Sequence, residues 1–176
     1  MLNCIITGIQ QGGMTMLTEG ENRMHRVCFT GHRPEKLNQP ERVVKKWLEA
    51  AIRQAIADGK NVFISGMARG VDIWAAEIVL RLRDEGQDIK LICASPYKGF
   101  ERGWSADWQE RYNAVMAAAD LVRFICPAYS RSCFQIRNEW MVDHSALVIA
   151  VFNGQPSGTK NTIDYAKKKN VMLIYI

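Results

Sequence analysis

Three loops carry the glycines and polar side chains of this chain that could do chemistry. They are Thr30-Gly31-His32-Arg33-Pro34, Ser65-Gly66-Met67-Ala68-Arg69-Gly70-Val71-Asp72 and Asn153-Gly154-Gln155-Pro156-Ser157-Gly158-Thr159. In the first, Gly31 lets the backbone turn, while His32 and Arg33 offer cationic or hydrogen-bonding groups to a phosphate or carboxylate. In the second, Gly66 and Gly70 free the backbone for the approach of an anion, and Arg69 can pair with a phosphate. Asp72 there either caps a helix or accepts from a ribose hydroxyl. In the third, Ser157, Thr159 and Thr162 place hydroxyls near a helix N-terminus, where an anion can be cradled. None of the three is the Gly-x-Gly-x-x-Gly dinucleotide fingerprint, and no Gly-Lys-Ser/Thr follows the glycines. A standard NAD dehydrogenase and Walker-type ATP hydrolysis are therefore disfavoured.

Each loop sits where a strand should pass into a helix. Strand-like runs cover Val27 to Thr30, Val62 to Ser65, Ile89 to Ala94, Leu121 to Cys126, Leu147 to Phe152 and Val171 to Tyr175. Between them the helical period of apolar residues predicts helices over Pro40 to Asp58, Val71 to Glu85, Glu101 to Ala119, Ser132 to Ser145 and Gly158 to Lys169. About six strands alternating with helices imply an α/β, Rossmann-like, doubly wound and mostly parallel sheet with helices on both faces. All three loops then open on one sheet edge, the carboxyl edge, where such folds bind ligands.

Composition sets the class. The chain has 176 residues, 48% of them apolar, and a formal net charge of +5. That length suits a single core, and the balance excludes a disordered chain. Lys and Arg are scattered, with Lys167-Lys168-Lys169 the one run, so a dedicated nucleic-acid surface is not demanded. Five cysteines without Cys-x-x-Cys spacing argue against a metal site and fit a reducing cytoplasm. No secretory signal or membrane span is evident, which predicts a soluble cytoplasmic protein. Residues 1–23 are rich in Gly, Thr, Gln and Met and read as a flexible extension, with Met14, Met16 and Met24 as alternative starts. Cys4-Ile5-Ile6-Thr7-Gly8 can also be read as a short edge strand. A single domain is expected over residues 24–176.

Four ordered blocks carry a resemblance to a known family: Phe29 to Leu37, Ser65 to Glu77, Arg137-Asn138 with Met141-Val142-Asp143 and Ser145, and Val151 to Gly154 continuing to Gly158-Thr159 and Tyr165-Ala166-Lys167. From Met24 to Ile176 the chain resembles the YpsA-like branch of the SLOG superfamily, Rossmann-like proteins related to LOG phosphoribohydrolases and to the DNA-processing protein DprA. The resemblance implies a pocket for a nucleotide or a nucleotide-derived molecule such as ADP-ribose or an NAD-related compound. It adds Arg137, Asn138 and Asp143 to the pocket-lining groups. No cofactor beyond that ligand is firmly implied, and a homodimer remains an open option. One departure matters. The LOG pattern Pro-Gly-Gly-x-Gly-Thr-x-x-Glu ends in a catalytic glutamate, whereas this chain reads Gln155-Pro156-Ser157-Gly158-Thr159-Lys160-Asn161-Thr162, with Thr in that place.

If N-glycosidic bonds were broken here, a carboxylate would have to stand beside the anomeric carbon. The sequence offers Glu139, Asp143 and Glu77. For stacking a base, Tyr97, Phe100, Trp104 and Trp108 cluster around the loop after the third strand; Tyr97 is preferred, and the helical spacing of Trp104 and Trp108 suits the core. The leading expectation is a nucleotide-derivative sensor. The alternatives are an N-glycosidic hydrolase or transferase on a nucleoside or nucleotide, and a DprA-like binder of single-stranded DNA.

Overall fold

The structure is a computed structural model and describes residues 18–176. Its elements are α1 (Glu19–Met24), β1 (Arg26–Gly31), α2 (Glu41–Ala57), β2 (Val62–Ser65), α3 (Val71–Asp84), β3 (Lys90–Ser95), α4 (Ala106–Ala118), β4 (Leu121–Phe124), α5 (Cys133–Asp143), β5 (Leu147–Val151), α6 (Gly158–Lys168) and β6 (Met172–Tyr175). Short 3-10 turns occupy Pro34–Lys36 and Phe100–Gly103. The six strands form one sheet in the order β4-β3-β2-β1-β5-β6, and every pairing is parallel.

That order follows from how the chain winds. From β1 it moves outward through β2 and β3 to β4, then α5 carries it back across to β5 on the other side of β1. Right-handed crossovers in opposite directions put α2, α3 and α4 on one face and α5 and α6 on the other. Two apolar clusters match those faces. The larger holds Val44, Leu48 and Ile52 of α2, Trp74 and Val79 of α3, and Tyr112 and Val115 of α4. The smaller packs Cys28, Ile64 and Val148 against Met141 and Val142 of α5 and Ala166 of α6.

Local sequence explains the elements. In α2 the buried residues Val44, Leu48, Ile52 and Ala55 fall three or four apart and make one stripe. Pro40 stands before its first turn, and Gly59 follows its end at φ +82. The middle helix, α3, lies between α2 and α4 and is buried almost all round, with Ala75 and Ala76 allowing close approach. β1, in the interior of the sheet, buries Val27, Cys28, Phe29 and Thr30 in succession, as a strand covered on both faces must.

Two expectations need correction. Glu101 to Ala119 is not a single helix. The stretch breaks into the Phe100–Gly103 turn and α4, because Ser105 is extended at φ −64, ψ 156 and starts a new helix. Trp104, in the break, packs edge-on against Phe100 at 4.9 Å and Tyr112 at 5.6 Å. Regular structure also begins before residue 24. Thr18 and Glu21 form a capping box on α1, and Arg23 Nε donates to the Ser145 carbonyl at 3.1 Å, tying this helix to the domain. The strand reading of Cys4 to Gly8 and the starts at Met14 and Met16 lie outside the described residues. No helix among the described residues is long and apolar enough to cross a membrane.

Candidate functional site

β1 and β5 are neighbours, but the chain leaves them in opposite directions along the sheet. The crevice above their carboxyl ends is the topological switch point of the fold. A cleft of about 330 Å³ opens there. Thr30 to Arg33 and Lys36 line it from the end of β1, Ala68 and Asp72 from the β2–α3 connection, and Phe100 from the turn after β3. Phe134, Arg137, Asn138 and Met141 enter from α5, and Ser157, Gly158 and Thr159 from the start of α6.

The β1 exit is held by close packing. A Cβ on Gly31 would meet the Val71 side chain at 2.5 Å, so only glycine lets β1 end against the first turn of α3. His32 is 3% exposed and stacks on Phe152 at 5.7 Å between ring centroids. Its Nε2 is buried without a hydrogen-bond partner. Burial and the nearby Lys36 charge hold this imidazole below the usual histidine range, against the opposing pull of Asn153. It is therefore neutral near pH 7, with an unused ring nitrogen.

The β2 exit is a knot of internal bonds. Ser65 Oγ donates to the Asp72 carbonyl at 2.8 Å and accepts from the Met67 N–H at 3.2 Å, while Met67 takes φ +62. Asp72 Oδ2 accepts from the Ala68 N–H at 3.3 Å and lies 3.7 Å from Arg137 Nη1. The same Nη1 donates to the Gly66 carbonyl. Both side chains of this ion pair are only 6% exposed. Burial pushes the Asp72 carboxyl up to about 6, although Arg137 and the Ala68 N–H favour its anion. Burial lowers Arg137 while Asp72 holds it up, and a guanidinium stays protonated throughout.

At the third wall, Ser157 Oγ accepts from the Lys160 N–H at 3.2 Å and caps α6. A Cβ built on Gly158 meets nothing within 4 Å, so the first turn of α6 is open toward the cleft. Thr162 stands where the LOG pattern has glutamate. It is fully buried and donates to the Gly158 carbonyl at 2.9 Å, which makes it part of the helix rather than of the lining.

The structure thus brings Thr30, Gly31, His32, Arg33, Asp72, Arg137, Asn138, Ser157, Gly158 and Thr159 to one cleft. Other expected residues lie elsewhere. Ser65 and Gly66 support the floor from below: a Cβ on Gly66 would collide with the Arg137 guanidinium and come within 2.7 Å of Asp72 Oδ2. Gly70, at φ +90, sits against the His32 carbonyl and Pro34. These two glycines are bare for internal packing, and neither borders the cleft. Arg69 pairs with Glu35 at 3.0 Å. Asn153 Nδ2 donates to the Lys36 carbonyl at 2.8 Å, while Gly154, at φ +84, turns the loop outside the lining. Asp143 points away from the cleft to Tyr165, at 3.1 Å, and Lys169, at 3.2 Å. Glu139 accepts from Gln135 at 2.9 Å, and Glu77 is held by Arg111 at 2.6 Å.

Tyr97 is not in the lining. It packs at about 6 Å on Phe100, Tyr129 and Phe134, and the rings that reach the cleft are Phe100 and Phe134, 5.5 Å apart. The sequence did not single out Lys36, Ala68 or Phe134 as lining, and Met141 stood only in a block of the family resemblance. For Phe134 and Met141 the signal was available, because 134, 137, 138 and 141 follow the i, i+3, i+4, i+7 spacing of one helix face.

The comparisons with known proteins agree with this architecture. The YpsA family model, described as the YspA SLOG family, matches residues 27–174. The chain belongs to the YpsA family of SLOG proteins. Among curated relatives, the SPbeta prophage-derived protein YoqJ of Bacillus subtilis (strain 168) is 35% identical over 138 residues, covering 71% of this chain and 81% of that protein. A UPF0398 protein of Bacillus thuringiensis (strain Al Hakam) is 31% identical over 153 residues, covering 81% and 83%. Among solved structures, DNA processing protein A from Helicobacter pylori, described for its single-stranded DNA binding mode, matches with a TM-score of 0.62 at 21% identity. That match covers 89% of this chain and spans 66% of the other, and it is a likeness of fold.

Proposed function

We propose that the cleft between β1 and β5 binds a nucleotide or nucleotide-derived small molecule, ADP-ribose-like or NAD-like in chemistry, and that occupancy rather than turnover is its output. One observation carries this reading. The open first turn of α6 at Gly158 shares the cleft with the unpartnered His32 Nε2 and the cations Arg33 and Lys36. Free N–H groups at a helix start, an unused imidazole nitrogen and two cations suit a phosphate. The Phe100 and Phe134 rings at the other end suit a base.

Binding is favoured over cleavage by where the acids lie. Glu77, Glu139 and Asp143 are outside the lining, which leaves Asp72 as its one carboxylate among the described residues, with Oδ2 held by Arg137 and no second acid beside it to share the acid and base roles. A thermal-shift panel of ADP-ribose, NAD, AMP and nucleosides tests the reading. A ligand present at a hundred times its Kd adds about 2.7 kcal/mol, or roughly 5–10 °C in a chain of this size. Absence of any shift across the panel, in wild type and in His32→Ala alike, would falsify it. Release of free base during the assay, followed by chromatography, would instead establish the N-glycosidic alternative.

A second reading is favoured by the fold likeness to the H. pylori protein and by Arg33 and Lys36 at the cleft. Here single-stranded DNA would run along the carboxyl edge. Oligonucleotide affinity that falls steeply with salt would support this reading.

A further inference from the structure

The cleft holds one feature that a phosphate site does not need: a buried carboxylate in its floor. Asp72 is 5% exposed and lines the cleft. Its Oδ2 is committed to the Ala68 N–H at 3.3 Å and to Arg137 Nη1 at 3.7 Å. Its Oδ1 takes no hydrogen bond from any described residue, and it is not among the fully buried unpaired atoms. This oxygen is what a bound molecule meets. A carboxylate only accepts, so the ligand must bring a donor to it and keep its own anionic group away. On the same ion pair, Arg137 Nε is buried without a partner. A hydroxyl supplies the donor that Asp72 Oδ1 calls for without adding a negative charge.

Strand order says which part of a ligand lies there. Along the carboxyl edge the strands run β3, β2, β1, β5. Phe100 follows β3, Asp72 follows β2, His32 and Arg33 follow β1, and the α6 start follows β5. The edge therefore presents an aromatic wall, then an acceptor, then the cations and the open helix start. A nucleotide has the same order of parts: base, sugar, phosphate. Resting on the nucleotide reading above, we infer that Asp72 receives a ribose hydroxyl and makes the cleft selective for ribonucleotide-type over deoxyribonucleotide-type ligands.

The test compares ligands on the wild-type protein by calorimetric titration. AMP and ADP-ribose are each measured against forms lacking the 2′- or the 3′-hydroxyl of the adenosine ribose. Loss of a hydrogen bond to a charged group corresponds to about ten- to hundredfold weaker binding for at least one deoxy form. Asp72→Asn should weaken binding of the ribo forms and shrink that discrimination. Deoxy forms that bind within twofold of their ribo parents overturn the inference and leave the nucleotide reading intact. Failure of every one of these ligands to bind overturns both. The ligand-side comparison decides the matter even if Asp72→Asn fails to fold.

Discussion

Asp72 and Glu77 stand five residues apart on α3 and are both paired with arginine, yet their surroundings differ in kind. Glu77 accepts from Arg111 at 2.6 Å and 2.7 Å and from Lys45 at 3.1 Å, with its side chain 28% exposed. Arg111 and Lys45 also reach Glu41, so the group is a cross-brace between α2, α3 and α4 with its charges answered by protein. Burial pushes the Glu77 carboxyl up, but the bonds from Arg111 and Lys45 outweigh it and hold the group below the usual glutamate range. Asp72 is buried more deeply and has fewer partners, and burial wins. Well-answered charge on a helix surface is architecture. Under-answered charge in a cleft is an opening for a ligand.

The sharpest way to break this contrast is to remove one arginine from each pair. Arg137→Ala strands a buried carboxylate and the Gly66 carbonyl, with an expected loss of about 3–5 kcal/mol in denaturant unfolding. Gly66→Ala tests the same floor from the backbone side. Its Cβ has to displace the guanidinium, an overpacking change worth about 1–3 kcal/mol. Arg111→Ala, in the partly exposed brace, should lower stability by only about 0.2–1 kcal/mol. If Arg111→Ala proves as damaging as Arg137→Ala, the distinction between the two pairs fails.

Acid titration separates them by sign. The folded pKa of Asp72, about 6, lies above its ordinary value of 3.8, so the native state holds that proton more tightly. Its contribution to stability is full below pH 4 and declines as pH rises through 6. Arg137, and more distantly Cys28, are the titratable groups that face Asp72. Glu77 behaves oppositely: its contribution is present above pH 4.5 and is lost as pH falls through its lowered folded value. Unfolding curves from pH 4 to 7 should therefore lose a downward component in Asp72→Asn. The Glu77→Gln variant should lose a smaller upward one, seen below pH 4.5.

Much of this was legible in the chain. Parallel strands alternating with helices force all βα loops to one edge, so three loops far apart in sequence could be assigned to one place before any contact was known. The Val62–Ser65 strand and the start of α3 at Val71 fall where the residues alone put them. Helical period also carried information that went unused. Asp143 is six residues beyond Arg137, on a different side of α5, and spacing alone argues against their sharing a cleft. What spacing could not supply is the meeting of Gly66 with Arg137, 71 residues apart. Glycine after a strand signals close approach, and the sequence does not say whether a ligand or a guanidinium is what approaches.

The seating of the loops has a mechanical consequence. A Cβ on Gly70 would come within 2.8 Å of the His32 carbonyl, and one on Gly31 within 2.5 Å of Val71. The exits of β1 and β2 are thus braced against each other and against the root of α3, so those two walls shift as one piece or not at all. On the nucleotide reading proposed above, a guest would therefore settle onto a floor that is already formed, and its affinity would owe little to rearrangement of these two walls.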